Sequence, residues 1–187
     1  MSMLTGAEAR SKLLKGVNLV ADAVKGTLGP QARTVILQNP LGGYPAILND
    51  GVTIARAVTD RDPYVQMGID LMKQVSAEAQ GNSGDGTTSA TIIAKTLANG
   101  SLSLMEKEVS PQVIRDALIS YTEQTRDYLE SKVNKDFNLV DVATIASNND
   151  EDLGKLIADV MKQNGETGTV TIEKSMNGET YVDSADG

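Results

Sequence analysis

The segment Gln80-Gly-Asn-Ser-Gly-Asp-Gly-Thr-Thr-Ser89 leads directly into the apolar run Ala90-Thr-Ile-Ile-Ala94. Its glycines, followed by Thr87, Thr88 and Ser89 ahead of a helical pattern, predict a sharp loop that ends at a helix N-terminus. The first backbone N–H groups of a helix have no intrahelical partner, and the helix dipole places partial positive charge there. Phosphate oxygens can therefore bind at this point without any basic side chain.

Asp85 lies inside this loop, where a carboxylate would repel a phosphate. A divalent cation removes the conflict, because Mg²⁺ prefers oxygen ligands and can bind a carboxylate and phosphates together. A simpler interpretation is also open, in which Asp85 or Thr87 only caps the helix and the glycines only break the chain. Helix caps are far commoner than nucleotide sites, so this segment by itself favours capping.

The composition restricts both the core and the chemistry. Aromatic residues make up only 3% of the 187 residues, so the core must consist of Ala, Val, Ile, Leu and Met, which favours helices. The chain has no cysteine and no histidine, which excludes disulfides, thiolate or imidazole metal ligands and Ser-His or Cys-His nucleophile pairs. A net charge of −8 argues against nucleic acid or an anionic membrane as a partner.

Two further features concern the compartment. The sequence shows no signal-peptide pattern and no apolar run long enough to span a membrane. The lack of cysteine fits a reducing environment. We therefore expect a cytoplasmic protein.

Apolar spacing predicts a mostly helical chain with small β hairpins, an α+β fold. Helices are expected near residues 8–26, 52–58, 65–80, 92–105, 110–128, 139–146 and 153–161. Hairpins are expected from strands at 34–38 with 46–48, and at 169–173 with 180–183. Acidic residues dominate after residues 131–137, so we expect one domain over 1–131 and another over 132–187.

Three glycine-containing corners stand at the ends of predicted elements: Thr27-Leu-Gly-Pro30, Asn49-Asp-Gly51 and Gly84-Asp-Gly-Thr-Thr-Ser89. Asp50 occupies a strand-to-helix corner, where an aspartate commonly serves as a cap. In this order the corners resemble the nucleotide-binding loops of the chaperonins, which are ring-forming, ATP-driven folding machines.

The resemblance continues outside the corners and extends over essentially the whole chain. The stretches that resemble the group I, bacterial-type branch are Val20–Pro30, Asn49–Ala55, Thr144–Asp150 and Gly154–Ala158. It implies a chaperonin equatorial-domain helical bundle over residues 1–131, followed by part of an α/β intermediate domain over 132–187. Gly187 would fall at the hinge into the apical domain, so we expect the apical domain and the C-terminal half to be absent.

The resemblance also implies a site for ATP or ADP. The residues that would bind the nucleotide are Thr27, Leu28, Gly29, Pro30, Asn49, Gly51, Asp85, Gly86, Thr87, Thr88 and Ser89. Asp85 would ligate Mg²⁺, a K⁺ ion would lie near the first corner, and Asp50 would act as the catalytic residue that orients the attacking water. Bacterial chaperonins usually have Lys at the position of Asn49, so only its backbone carbonyl would serve here.

For the intact protein, the resemblance implies a chaperonin ATPase that assists protein folding. Its partners would be identical subunits in a ring, unfolded client proteins and a cochaperonin. Residues 1–187 alone would lack full hydrolytic activity, because the site would be only half built.

Two other functions are alternatives to this one. The chain could be a truncated, non-hydrolysing module that co-assembles with or modulates a complete chaperonin, which particle size alone and in mixtures would reveal. An unrelated Mg²⁺-dependent phosphotransferase would need the Walker pattern Gly-x-x-x-x-Gly-Lys-Ser/Thr, which the sequence lacks.

Overall fold

The structure, a computed structural model, describes residues 3–29, 32–38, 44–134, 136–165 and 168–184. Within these ranges the chain forms seven α-helices, one 3-10 helix and one two-stranded sheet. The α-helices are α1 (Gly6–Val24), α2 (Gly51–Ala57), α3 (Pro63–Ser83), α4 (Thr87–Glu106), α5 (Pro111–Glu130), α6 (Leu139–Ala146) and α7 (Glu151–Asn164). The prediction of a mostly helical α+β fold is confirmed. None of the described helices is long and apolar enough to cross a lipid bilayer.

Short elements connect α1 to α2. The 3-10 helix Lys25–Thr27 continues α1, and strand β1 (Val35–Leu37) pairs antiparallel with β2 (Ala46–Leu48). In this pairing Val35 lies opposite Leu48, which confirms the first predicted hairpin. Residues 39–43, where the sequence predicts the turn, lie outside the described residues.

The main core lies between α1, α2 and α3 and consists of aliphatic side chains and one methionine. Its most enclosed members are Val20, Ala21, Val24, Ile54, Ala55, Val65, Ile69 and Met72. Complete burial of a Val or Ile side chain stabilises a fold by roughly 1.5–3 kcal/mol. The core thus consists of the aliphatic residues and methionine that the sequence predicts.

Helices α1 and α3 touch through their backbones at two glycines. A Cβ atom on Gly16 would lie 2.1 Å from the carbonyl oxygen of Val65, and a Cβ on Gly68 would lie 2.1 Å from that of Leu13. Neither glycine could therefore carry a side chain at this helix separation. Their missing side chains determine how closely α1 and α3 approach each other.

The second predicted hairpin is wrong. Among the described residues 168–184 no strand is formed. Only the turn remains, where the Asn177 side-chain oxygen accepts a hydrogen bond from the Glu179 N–H at 3.1 Å. Ile172 and Tyr181 are 74% and 67% exposed. An isolated pair of strands with no buried face is marginally stable at best.

The chain divides into two compact units, residues 1–122 and 123–187. The first unit contains α1 to α4 and the hairpin. The second contains α6 and α7, which approach each other at a further glycine. A Cβ on Gly154 would lie 2.6 Å from the Cα atom of Thr144, so this contact also requires a missing side chain.

We predict that Gly16→Ala destabilises the protein by about 3 kcal/mol, because the added methyl group would overlap the rigid α3 backbone. Gly100→Ala is the matched control, since an added Cβ in α4 would meet no atom within 4 Å. That control should raise stability by up to about 1 kcal/mol, the usual advantage of alanine within a helix. Urea unfolding followed by circular dichroism measures both effects. Equal shifts of the two unfolding curves would contradict the close helix contact.

Candidate functional site

The three glycine-containing corners meet at one cleft with a volume of about 230 Å³. The residues that line it are Thr27, Leu28, Asn49, Asp50, Gly51, Asp85, Gly86, Thr87, Thr88 and Ser89. They belong to the end of the 3-10 helix, to the β2–α2 junction, and to the α3–α4 loop with the first turn of α4. The tertiary structure therefore brings together most of the site residues proposed from the sequence. Gly29 does not line the cleft, and Pro30 lies outside the described residues.

Helix α4 begins at this cleft without a side-chain cap. Gly84 ends α3 with a φ of 71°, and Gly86 occupies the N-cap position of α4 with a φ of 76°. Both values lie in the left-handed region that glycine adopts without strain. The Asp85 carboxylate accepts a hydrogen bond from the adjacent Gly86 N–H at 2.6 Å, and no side chain caps α4. The interpretation that Asp85 or Thr87 caps this helix is therefore wrong.

Asp50, in contrast, does cap α2. Its carboxylate accepts hydrogen bonds from the backbone N–H groups of Val52 at 3.3 Å and Thr53 at 3.0 Å, and also from the Thr53 hydroxyl. Burial, the largest influence on the pKa of Asp50, raises it, but the hydrogen bonds from Thr53 and Val52 together hold the pKa below its ordinary value. The carboxylate is thus ionised at neutral pH while it also lines the cleft. Capping and a role in the cleft are compatible.

The hydroxyl of Thr88 lies where the three corners converge. A Cβ on the buried Gly51 would lie 2.3 Å from Thr88 Oγ1, so α2 can approach α4 this closely only at a glycine. Thr88 Oγ1 also lies 3.2 Å from Thr27 Oγ1. Because the Thr27 hydroxyl donates to the Val24 carbonyl at 2.8 Å, the Thr88 hydroxyl must be the donor between the two threonines. One side chain thus contacts both other corners.

The donor set of the cleft indicates what it can bind. Among the described residues no three acidic side chains come together as a self-sufficient metal site. Asp85 is exposed at the cleft, close to the uncapped start of α4 and to the hydroxyls of Thr87, Thr88 and Ser89. Mg²⁺ keeps several waters and typically takes one or two carboxylates plus phosphate oxygens. The residues therefore fit a magnesium-bound phosphate group and do not fit a metal bound by protein alone.

Comparisons with known proteins agree on one family. A sequence model described as the TCP-1/cpn60 chaperonin family matches residues 20–185. The structure is similar to that of the chaperonin gp146 from the bacteriophage EL 2 (Pseudomonas aeruginosa), crystallised in the presence of ATP-BeFx, with 25% sequence identity and a TM-score of 0.69. The match covers 87% of this chain and 29% of the phage chaperonin chain. This chain thus spans less than a third of that relative.

Removing the Asp50 side chain should have a cost that depends on pH. The pKa of Asp50 is lower in the folded state. Its contribution is therefore fully present above the unfolded-state pKa of about 3.9. The contribution is lost as the pH falls through the lower folded-state pKa. We predict that Asp50→Ala costs about 1 kcal/mol at neutral pH and less below about pH 4. Urea unfolding across this pH range measures the change.

The control for this prediction is Asp50→Asn, since the neutral amide oxygen keeps the capping geometry but cannot ionise. The stability difference between Asp50→Asn and Asp50→Ala should stay constant over the same pH range. If the loss of stability in Asp50→Ala did not change with pH, the charge of Asp50 would contribute nothing to the free energy of unfolding.

Proposed function

Because the chain belongs to the TCP-1/cpn60 chaperonin family, we propose that it forms the first part of an ATP-dependent chaperone subunit that binds ATP with Mg²⁺ in the three-corner cleft. The resemblance to chaperonins is confirmed at the level of family and fold. Membership of the group I branch stays a prediction that rests on the sequence stretches alone. So does the division into an equatorial domain over 1–131 and an intermediate domain over 132–187.

The uncapped start of α4 at the cleft is the observation that carries this proposal. A helix start with free N–H groups attracts phosphate oxygens, and the neighbouring hydroxyls of Thr87, Thr88 and Ser89 supply further donors. The described residues provide no basic side chain in the lining, so backbone donors and a divalent ion must balance the phosphate charge. The phage chaperonin similar to this chain was crystallised in the presence of ATP-BeFx, which also supports a nucleotide.

Each remaining corner has a proposed part in the site. Mg²⁺, when bound, would neutralise charge on the phosphates, with Asp85 as its protein ligand. Thr27 and Leu28 would hold the nucleotide from the opposite corner, with K⁺ nearby. Gly51 would leave room for the phosphates, and the Asn49 carbonyl would contribute a further oxygen.

Asp50 is the proposed catalytic residue. Its carboxylate is ionised, is held by its hydrogen bonds to Val52 and Thr53, and faces the cleft. A fixed carboxylate can accept a hydrogen bond from a water molecule and orient it for attack on a phosphate. Phosphoryl transfer depends mainly on such positioning. Attack by the water on the terminal phosphate would break its bond to the ADP oxygen and release inorganic phosphate, and ADP would remain in the cleft.

The assembly and its partners are proposed from the family, because this chain corresponds to only 29% of the phage chaperonin chain. We propose a ring of identical subunits that encloses unfolded client proteins in the cytoplasm, with a cochaperonin as a further partner. Nucleotide binding would drive the movement of the segments outside the ATP-binding unit. These proposals follow from the family and from the sequence resemblance.

Asp85→Ala should abolish Mg²⁺-dependent ATP binding and leave the helical content nearly unchanged, because the Asp85 side chain does not cap α4. Asp116→Ala, which removes an exposed carboxylate from α5, is the matched control and should bind like the wild type. Isothermal titration calorimetry with ATP, once with Mg²⁺ and once with EDTA, measures the affinity. If Asp85→Ala lost its helical content together with ATP binding, a structural role for Asp85 would be favoured.

Residues 1–187 expressed alone should hydrolyse ATP much more slowly than the intact ring. The described cleft is small and open to water, and its acidic side chains Asp50 and Asp85 are exposed. Efficient phosphoryl transfer requires closure that excludes water and completes the set of catalytic groups. Single-turnover hydrolysis of ATP by the two proteins gives the comparison. Equal rates would contradict the expectation that residues 1–187 form only part of the catalytic site. If the intact protein bound ATP but did not hydrolyse it, the alternative of a non-hydrolysing module that modulates a complete chaperonin would be favoured.

A further inference from the structure

Three polar side-chain contacts join α1 and its 3-10 extension to α4, and together we call them the polar ladder. Its rungs are Asn18 with Asn99, Asp22 with Lys95, and Thr27 with Thr88. Each step forward along α1 is matched by a step backward along α4, as antiparallel neighbours require. The last rung lies in the cleft, so the ladder runs along the helix pair directly to the proposed site.

The middle rung is the charged one. Asp22 Oδ1 accepts hydrogen bonds from Lys95 at 2.7 Å and from Lys25 at 2.8 Å. Hydrogen bonds from Lys25 and Lys95 hold the pKa of Asp22 below its ordinary value, so the carboxylate is ionised at neutral pH. Lys25 begins the 3-10 helix that carries Thr27 into the cleft. Asp22 thus connects α4 to the segment that forms the first corner.

Apolar packing alone defines the axial position of α4 weakly. The hydrophobic α4 side chains packed against the core cluster are the alanines Ala94 and Ala98. Thr91, the completely buried side chain of α4, is also small. Helices interlock when large side chains of one fill grooves in the other, and a methyl group gives only a shallow ridge. Directional polar contacts between α1 and α4 therefore add to the packing that opposes sliding of α4 along α1. Because α4 begins in the cleft, sliding would move Thr87 and Thr88 away from Thr27.

We infer that Asp22 and Lys95 are positioning residues of the nucleotide cleft, because their ion pair sets the axial register between α1 and α4. Neither residue lines the cleft. The pair would set the distance between the corner at Thr27 and the start of α4, which must grip the same nucleoside triphosphate. This inference rests on the proposed function.

The test compares two lysine variants of the full-length protein. Lys95→Met removes the ladder ion pair. Lys12→Met removes an ion pair to Asp62 of similar length, 2.8 Å, and similar exposure, 33% and 31% against 29% and 45%, which joins α1 to the start of α3 and is not part of the ladder. Both variants should lose little stability, since partly exposed ion pairs contribute at most about 1 kcal/mol. Only Lys95→Met should weaken the binding of ATP with Mg²⁺, by up to about fivefold, which is the factor that about 1 kcal/mol corresponds to.

A third variant separates positioning from simple charge effects. Asp22→Asn removes a negative charge, so long-range electrostatics would strengthen the binding of the anionic nucleotide. Loss of register would weaken it instead, as for Lys95→Met. Lys95→Arg keeps the ion pair and should retain affinity close to that of the wild type. Titration calorimetry with ATP and Mg²⁺, together with thermal unfolding, gives both readouts for every variant.

The outcomes distinguish the inference from the proposed function. If the wild type failed to bind ATP with Mg²⁺, the proposed function itself would be overturned. If the wild type bound ATP but Lys95→Met matched Lys12→Met, or Asp22→Asn bound more tightly, only the positioning role would be overturned. If Lys95→Met did not fold, the milder Lys95→Gln would decide by the same comparison.

Discussion

The free start of α4 is the constraint on which the site depends. A helix start buried without partners is costly, and here it opens into the cleft, where water or an anion can satisfy its N–H groups. Gly84 and Gly86 allow the chain to turn from α3 into α4 within two left-handed positions. A side-chain cap at Gly86 would have stabilised α4 but would have occupied the donors that a phosphate needs.

Glycines, which lack a side chain, also help to position the start of α4. Gly16 and Gly68 let α1 and α3 meet backbone to backbone, which fixes the framework that carries both ends of the cleft. Gly51 lets α2 approach Thr88 in the same way. Since each contact involves rigid backbone or a short side chain, small changes in volume would be felt across the site. The polar ladder then adds directional contacts to a helix interface whose buried α4 side chains are small.

The sequence predicted most helices to within a few residues, because apolar periodicity, Pro at a helix start and Gly at a helix end are local signals. It failed for the strands at 169–173 and 180–183, where the alternating pattern was present but nothing covers Ile172 or Tyr181 in the described structure. For Asp50 and Asp85 the same capping hypothesis applied to both corners. Only the geometry separated them, since Asp50 caps its helix and Asp85 does not.

By itself, the sequence determined the helical class, the aliphatic core, the three corners and the chemistry they could support, because these depend on residue type and local spacing. The tertiary structure alone decided that the corners share one cleft, that Thr88 contacts Thr27 across 61 positions of sequence, and that Asp22 pairs with Lys95 across 73. It also showed that Gly16 and Gly68 allow α1 and α3 to approach closely. In the sequence these are ordinary glycines within helices. The physical reason is that the separation and the register of two helices depend on which of their faces pack together. Local sequence patterns do not specify this pairing.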